Sequence, residues 1–324
     1  MIIETPKRLH LGLIDPSASV GRRFGALGVA LEGGYRINLT PHDELKVICA
    51  EKEDRETITF VVAKMNEHFR TGFNYRIEVE RAIPRHVGLG STTQLCLGVG
   101  MGISKLNNLH LSVEELAAIL GRGKNSGAGV YTFKYGGLVI DGGVRGSIPP
   151  LIVREEFPEN WAFLLVIPEI KRGFDEKEEK PVMEGLSGKP EIAGEISHHI
   201  LLGLLPALKE VDIKSFGTHL SEIQRLVGRH FEKYQGGEFR EDVSLLLEFM
   251  RENTYGWGQS SWGPTVYGLI KKEEYQNLSL KLHEFLRENG IRAKIELGTP
   301  RNRGADFMER NAYLMKLINN VAKR

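Results

Sequence analysis

The stretch Ile83-Pro-Arg-His-Val-Gly-Leu-Gly-Ser-Thr-Thr-Gln94 decides the fold class of this chain. The alternating residues 75–80 before it are typical of a strand, and apolar residues after it recur at the spacing of one helix face. The pattern therefore predicts a strand, a glycine turn and a helix. Unpaired N–H groups at a helix start, glycines and three consecutive hydroxyls favour phosphate binding. A structural turn capped by Ser and Thr is an equally good interpretation of this stretch alone.

Two known phosphate-binding motifs are excluded by the residues of this stretch. No Gly-Lys-Ser/Thr sequence follows, which excludes a Walker loop. Thr93 stands where a dinucleotide-binding fingerprint has its third glycine. The predicted anion site is therefore of another kind.

Two further glycine-rich segments favour a binding site. Residues 121–129 combine glycines with Arg122, Lys124 and Ser126, a set suited to phosphate. Residues 256–265 combine glycines, hydroxyls and an amide with two tryptophans. Core packing is the ordinary role of tryptophan, but an indole beside flexible polar backbone can also form a wall over a planar ligand. Together the three segments favour a site over three unrelated turns.

Length and charge restrict the class of protein. The chain has 324 residues, 43 Lys and Arg against 42 Asp and Glu, and two cysteines. This predicts two domains, 1–157 and 158–324, without a disulfide framework. The net charge of +1, without long runs of one sign, excludes nucleic acid or an anionic membrane as the main partner. With no secretory signal and no apolar run of spanning length, we expect a soluble cytoplasmic enzyme that acts on small molecules.

Periodicity outlines the remaining elements. Residues 35–49 alternate around a turn that contains proline and predict a β-hairpin. The charged residues 171–181 lack periodicity and predict a mobile loop. Residues 196–250 show three helical patterns, and residues 265–297 predict a strand, a helix and a strand. The second half is thus expected to place a helical layer on a sheet.

The order of these motifs resembles the GHMP kinase superfamily of small-molecule kinases. The likeness rests on an N-terminal strand-and-loop segment, on residues 84–94 and on the glycine-rich loop 256–263. It implies an α+β fold of GHMP kinase type. Its N-terminal domain would resemble ribosomal protein S5 domain 2, its C-terminal domain would be a ferredoxin-like α/β domain, and the active site would lie between them.

One residue departs from the pattern of these kinases. Many of them carry a Ser-Gly-x-Asp segment whose carboxylate activates the substrate hydroxyl, whereas Ser126-Gly-Ala-Gly129 places glycine there. Some kinases of the superfamily lack that Asp, so an ATP-dependent sugar or small-alcohol kinase is the alternative function. A third hypothesis, a catalytically inactive phosphate-binding module, does not account for the hydroxyls and cations gathered around two glycine loops.

A narrower resemblance, to the β-ribofuranosylaminobenzene 5′-phosphate synthase family, extends along nearly the whole chain. It is carried by Arg8-Leu-His10-Leu-Gly-Leu-Ile-Asp15, His86 to Gln94, 121–127, 141–143, 235–237 and 258–268. It implies an archaeal enzyme of methanopterin-type coenzyme biosynthesis that joins phosphoribosyl diphosphate to 4-hydroxybenzoate or 4-aminobenzoate, with loss of carbon dioxide and diphosphate. The sequence does not choose between the two acids, because both present a flat ring, a carboxylate and a para donor.

The residues agree with that chemistry. Attack by a ring carbon on the anomeric carbon requires that the departing diphosphate be held by N–H groups, cations and a divalent metal ion. Because carbon dioxide leaves from the attacked carbon, the ring regains aromaticity without losing a proton there. The base missing at Gly129 is then not needed. The two acids before Thr-Gly-Gly that mark other phosphoribosyltransferases are absent from the sequence.

The resemblance and the residue chemistry together suggest candidate roles. Three residues near the N-terminus are expected to be catalytic: Arg8, His10 and Asp15. Phosphate binding is expected from Gly88, Gly90, Ser91, Thr92, Thr93, Gln94, Arg122, Lys124 and Ser126. Contacts to the aromatic substrate are expected from Gln259, Ser260, Ser261 and Trp262.

A metal site and a homodimer are also expected. Asp15 and Asp141 are the candidate ligands of Mg²⁺ or Mn²⁺, since Mg²⁺ takes few carboxylates together with phosphates and water. Structural alternatives remain open for several residues. His10 is equally interpretable as a buried structural histidine, and Asp141 as a turn residue.

Overall fold

Three β-sheets with helices packed on them make up the part of the chain that the structure describes, residues 1–173 and 176–309 of a computed structural model. The strands are β1 (Ile2–Glu4), β2 (Lys7–Asp15), β3 (Phe24–Leu31), β4 (Arg36–Pro41), β5 (Lys46–Ile48), β6 (Tyr75–Arg81), β7 (Leu138–Asp141), β8 (Leu151–Glu155), β9 (Trp161–Pro168), β10 (Gly256–Gln259), β11 (Val266–Lys271), β12 (Ala293–Gly298) and β13 (Asp306–Met308). The α-helices are α1 (Lys52–Phe69), α2 (Ser91–Leu106), α3 (Val113–Ile119), α4 (Ala128–Tyr135), α5 (Glu176–Gly185), α6 (Pro190–His199), α7 (Leu205–Lys209), α8 (Ile213–Gln235), α9 (Ser244–Asn253) and α10 (Tyr275–Glu288). None of these helices is both long enough and apolar enough to cross a membrane.

The predicted phosphate-loop helix, α2, lies at the centre of the N-terminal half. One sheet has the strand order β13-β1-β4-β6-β5 and a second has the order β2-β3-β7-β8. Glycines let α2 approach its neighbours closely. A Cβ on Gly102 would lie 2.5 Å from Cδ1 of Ile3, and a Cβ on Gly100 would lie 2.8 Å from Cδ1 of Leu116. The glycine-rich composition of α2 is thus explained by its packing on β1 and α3.

The β-hairpin predicted at residues 35–49 is wrong. Strands β4 and β5 do not pair with each other, because β6 lies between them, antiparallel to β4 and parallel to β5. The units β5, α1 and β6 form a β-α-β crossover, which places parallel strands side by side. Ile77 of β6 pairs with Leu39 on one side and Val47 on the other. The apolar alternation that predicted the hairpin is therefore satisfied by a third strand.

The C-terminal sheet has the ferredoxin-like arrangement expected from the resemblance. Its strand order is β10-β11-β9-β12 and all its pairings are antiparallel. Helix α8 precedes β10, and α10 connects β11 to β12. This is the order of a β-α-β-β-α-β unit, with α5, α6, α7 and α9 added between β9 and β10. The predicted strand, helix and strand within residues 265–297 are present as β11, α10 and β12.

The segment 171–181, predicted to be a mobile loop, is helical from Glu176 onward; residues 174 and 175 lie outside the described residues. The end of α5 is held by Arg23, whose guanidinium donates to the carbonyl oxygens of Met183 at 2.9 Å and Leu186 at 2.7 Å. The side chains of Met183 and Leu186 are buried. Because Arg23 is 160 positions away in sequence, local periodicity could not reveal this helix.

The end of the described chain returns to the N-terminal half. Strand β13 pairs with β1, and the buried guanidinium of Arg301 pairs with Glu32 at 2.7 Å and with Asp306 at 3.0 Å. Residues 306–308 therefore complete the N-terminal sheet. The domain boundary at 157/158 stays a prediction.

Candidate active site

The predicted phosphate loop is held by the glycine-rich loop of the C-terminal half. Ser260 Oγ donates to the carbonyl oxygen of Gly88 at 2.7 Å and accepts from the backbone N–H of His10 at 3.0 Å. A Cβ on Gly88 would lie 2.1 Å from the carbonyl oxygen of Ser260, and a Cβ on Gly263 would lie 2.1 Å from the carbonyl carbon of Val87. Gly88 also has a φ of +89°. Both loops thus depend on glycine for their contact.

This contact leaves the start of α2 available to an anion. Gly90 precedes the helix with a φ of +76°, and it provides no side-chain cap. The N–H groups of residues 91–93 therefore have no intrahelical acceptor. The nearby cation Arg85 is engaged structurally, since it donates to Thr92 Oγ1 at 3.1 Å and pairs with buried Asp54 at 2.5 Å. Other cations must balance a bound phosphate.

Cations that can balance a bound phosphate line a cavity of about 430 Å³, here named the cationic cavity. Its basic lining residues are Arg8, Arg23, Arg122, Lys124 and Lys180. Its other lining residues include His10, Thr93, Asn125, Ser126, Gly129 and Ser261. Within the described residues, Glu184 is its one acidic lining residue. This excess of positive charge suits a polyanion such as a diphosphate.

An apolar cavity of about 70 Å³ adjoins the cationic cavity. Its apolar wall is formed by Leu13, Met183, Val227, Phe231, Phe239 and Trp262. Trp262 packs edge-to-face on Phe231, with ring centroids 4.6 Å apart. The two cavities share five residues, here named the junction: His10, Asn125, Ser126, Met183 and Ser261. A planar aromatic ligand in one cavity and a phosphorylated ligand in the other would meet at the junction.

His10 is a neutral hydrogen-bonding group at the junction. A β-bulge at residues 10–12 places its ring there. Its Nδ1 accepts from the backbone N–H of Gly12 at 3.2 Å, so the proton of the neutral ring is on Nε2. Burial and the charge of Arg8 hold the pKa of His10 well below its ordinary value. His10 can therefore donate one hydrogen bond from Nε2 without carrying charge.

The carboxylates of Asp15 and Asp141 are both engaged in backbone turns. Asp15 accepts hydrogen bonds from the backbone N–H groups and hydroxyls of Ser17 and Ser19. Burial acts to raise the pKa of Asp15, but these hydrogen bonds outweigh it and the net shift is downward. Asp141 accepts from the N–H groups of Gly127 at 2.8 Å and Gly143 at 3.0 Å. Metal coordination by either carboxylate stays a prediction, and it would have to replace these bonds.

Asp141 makes a testable contribution to the pH dependence of stability. Burial raises the pKa of Asp141 from 3.8 to about 6, although its backbone hydrogen bonds oppose the shift. Between these values the folded protein binds more protons than the unfolded chain, so its free energy of unfolding falls as pH rises. The free energy of unfolding is expected to fall by about 3 kcal/mol over this range, since one pKa unit corresponds to about 1.4 kcal/mol.

Asp141→Asn is expected to remove that decline. The amide cannot ionise, although it also loses one of the two backbone hydrogen bonds at every pH. Urea unfolding of both proteins from pH 4 to 7 measures the difference. The same slope with pH in wild type and variant would show that Asp141 does not titrate in this range.

Comparison with known proteins places this arrangement in a family. Residues 56–137 match the GHMP kinases N terminal domain and residues 204–288 match the GHMP kinases C terminal domain. A β-ribofuranosylphenol 5′-phosphate synthase from Archaeoglobus fulgidus is 35% identical to the chain, over 94% of this chain and 98% of its own length. One from Methanothermobacter thermautotrophicus is 30% identical over the same shares. The chain belongs to the β-ribofuranosylphenol 5′-phosphate synthase family.

The solved structures show the fold of this synthase family member. Mevalonate kinase from Methanococcus jannaschii superposes with a TM-score of 0.68 over 93% of this chain and 98% of its own, at 19% identity. Together with the family matches, this confirms the α+β fold of GHMP kinase type. The kinase relation is one of fold, because the sequence similarity to the synthases is much higher.

Many of the predicted site residues of this synthase family member line the two cavities. The cationic cavity contains Arg8, His10, Thr93, Arg122, Lys124, Ser126 and Ser261. The apolar cavity contains Gln259 and Trp262 as well as the shared His10, Ser126 and Ser261. Their roles in binding and catalysis stay predictions.

Other predicted residues lie behind the cavity surfaces or outside them. Gln94 is fully buried and its amide donates to the carbonyl oxygen of Gly129 at 2.9 Å. Ser260 is fully buried, Ser91 is nearly so, and Thr92 lines a neighbouring groove. In the structure Gln94 and Ser260 position the elements that carry the cavities.

Gln224, which none of the sequence motifs contains, joins the two halves beneath the junction. Its side-chain amide donates to the carbonyl oxygen of Leu11 and accepts from the backbone N–H of Gln259. A Cβ on Gly258 would lie 2.3 Å from Gln224 Oε1, so glycine is needed there. One signal was available: Gln224 lies four residues after Leu220 on the apolar face of α8, where a polar residue needs a buried partner.

Proposed function

We propose that this protein transfers the 5-phosphoribosyl group of phosphoribosyl diphosphate to ring carbon 1 of 4-hydroxybenzoate, with release of diphosphate and carbon dioxide. The observation that carries the proposal is the junction, where a cationic cavity meets an apolar one. The name of the synthase relatives specifies a phenol product, which favours 4-hydroxybenzoate over 4-aminobenzoate as acceptor.

The cationic cavity supports departure of the diphosphate. Arg8, Arg122 and Lys124 line it beside the start of α2, so charge and N–H groups oppose the negative charge that develops on the leaving group. The positive charge that develops on the anomeric carbon would lie at the junction. There His10 is uncharged and adds no repulsion.

The apolar cavity supports attack by the aromatic ring. Phe231 and Trp262 offer flat apolar surface to a ring whose reacting carbon points toward the junction. Ring carbon 1 forms a bond to the anomeric carbon as the bond between the anomeric carbon and diphosphate breaks. The bond to the carboxylate then breaks, and its electron pair restores aromaticity. No base is needed at Gly129, because no proton leaves the attacked carbon.

The surroundings of Asp15 and Asp141 do not fit their expected role as ligands of Mg²⁺. Both carboxylates are engaged by backbone N–H groups, and the described residues contain no group of three or more His, Cys, Asp or Glu side chains able to hold a metal ion. We therefore assign no step to a metal held by this chain and propose that diphosphate oxygens carry the ion. A homodimer and a cytoplasmic location stay predictions.

One assay tests the proposal. Purified protein incubated with phosphoribosyl diphosphate, Mg²⁺ and 4-hydroxybenzoate is expected to release diphosphate and carbon dioxide in equal amounts and to form a ribosylated phenol. The same incubation with 4-aminobenzoate tests the other acid. If neither diphosphate nor carbon dioxide is released with either of the two acids, the proposal is refuted. Formation of ADP from ATP that depends on a small alcohol would support the kinase alternative.

A further inference from the structure

The two ends of the apolar cavity differ, and this difference bears on how an aromatic acid would be oriented. One end is the junction, through which the acceptor must reach the anomeric carbon. Four polar side chains line the apolar cavity without lining the cationic cavity: Gln224, Gln235, Glu238 and Gln259. Gln224 and Gln259 contact Leu11 and Ser261 close to the junction, whereas Gln235 lies eleven residues further along α8 than Gln224. A group at the para position of an acid bound with its carboxyl-bearing carbon at the junction would point away from the junction.

Three of these side chains are occupied by other contacts. Gln224 uses both of its amide atoms to join Leu11 and Gln259. Gln259 Oε1 accepts from the backbone N–H of Arg240 at 3.2 Å, and its Nε2 donates to the carbonyl oxygen of Ser261 at 3.1 Å. Each of these two amides therefore already makes one hydrogen bond from its nitrogen and one to its oxygen within the protein.

The carboxylate of Glu238 is likewise engaged. It lies 3.1 Å from Arg229 Nε and 3.4 Å from Arg225 Nε. Both arginines are on α8, so the pairing holds the loop that follows this helix. A para hydroxyl would compete with two cations for this carboxylate.

Gln235, the last residue of α8, keeps one acceptor. Its Nε2 donates to the carbonyl oxygen of Glu238 at 2.7 Å, which fixes the orientation of the amide. Among the residues whose side chains the structure describes, 1–173, 178 and 180–309, none donates a hydrogen bond to Oε1. Gln235 lines the apolar cavity, and the residue that follows, Gly236, ends the helix with a φ of +82°.

We propose that Gln235 determines acceptor specificity: its Oε1 accepts a hydrogen bond from the para hydroxyl of the aromatic acid and thereby directs the carboxyl-bearing carbon to the junction. The inference rests on the proposed function and adds the residue that selects the para group. A para amino group also carries a proton and satisfies the same acceptor. An isosteric para methyl group gives Oε1 no donor, which costs binding free energy.

Binding without turnover tests this specificity. Dissociation constants of 4-hydroxybenzoate and 4-methylbenzoate are measured by titration calorimetry on the full chain saturated with inorganic diphosphate. Wild-type protein is expected to bind the hydroxy acid about tenfold more tightly. Gln235→Met, nearly isosteric but without the acceptor, is expected to bring the two constants within about twofold of each other. Gln276→Met, at an exposed position on α10, is the control and should keep the wild-type ratio.

The possible outcomes separate this inference from the proposed function. If Gln235→Met weakens both acids equally, Gln235 is a structural residue and the inference is wrong. If wild-type protein transfers ribosyl phosphate but does not discriminate between the two acids, the inference fails while the proposed function stands. That wild-type comparison does not depend on the variant folding. If neither acid binds and no transfer occurs, both fail.

Discussion

Gly88→Ala is expected to destabilise the protein by about 3 kcal/mol or more and to lower the transfer rate at least about a hundredfold. A φ of +89° costs a non-glycine residue about 1–2 kcal/mol. The added Cβ would also lie 2.1 Å from the carbonyl oxygen of Ser260, which must move and separate the two loops. The rate falls because a displacement of about 1 Å at a reacting centre can cost a hundredfold.

Gly146→Ala is the matched control for this prediction. Gly146 has a similar φ of +83°, but nothing lies within 4 Å of its Cβ position. It should therefore show only the backbone cost, about 1–2 kcal/mol, with transfer unchanged. Urea unfolding and diphosphate release measure the two effects. Equal losses of stability in both variants would mean that contact between the two loops contributes nothing to the free energy of unfolding.

Gly129→Asp is expected to lower kcat/KM for phosphoribosyl diphosphate about a hundredfold. Gly129 is the second residue of α4 and lines the cationic cavity. Two like charges about 4 Å apart repel by about 4 kcal/mol at the effective permittivity of a protein surface. A carboxylate here would oppose the diphosphate and neutralise neighbouring cations. It would have no catalytic use, since the proposed reaction removes no proton from the attacked carbon.

Gly129→Asn separates the effect of charge from that of size. The backbone of Gly129 is helical rather than left-handed, so a side chain is conformationally allowed. A Cβ would lie 3.1 Å from Thr93 Cγ2, which requires a small shift. The Asn variant has this steric cost but no added charge, so its kcat/KM is expected to fall by less than about tenfold. The gap between the Asp and Asn variants should narrow at high salt. A faster Asp variant would show that the reaction uses a base here.

Sequence alone predicted the elements whose geometry is local. The glycines and hydroxyls of residues 83–94 predicted a turn that opens a helix, and the Ser112-Val-Glu-Glu115 pattern is the capping box that begins α3. Such features depend on φ preferences and on hydrogen bonds between residues a few positions apart. The order of motifs extended this local information to the fold and the family.

Only the tertiary structure decided which residues meet. His10 reaches Ser260 across 250 positions, and Gln224 reaches Leu11 across 213. The same kind of contact turned residues 176–185 into a helix and placed β6 between β4 and β5. It also brought the backbone N–H of Gly127 to Asp141 across 14 positions. Local preference determines how a backbone bends, whereas burial and the need to satisfy buried polar groups depend on neighbours that no local pattern specifies.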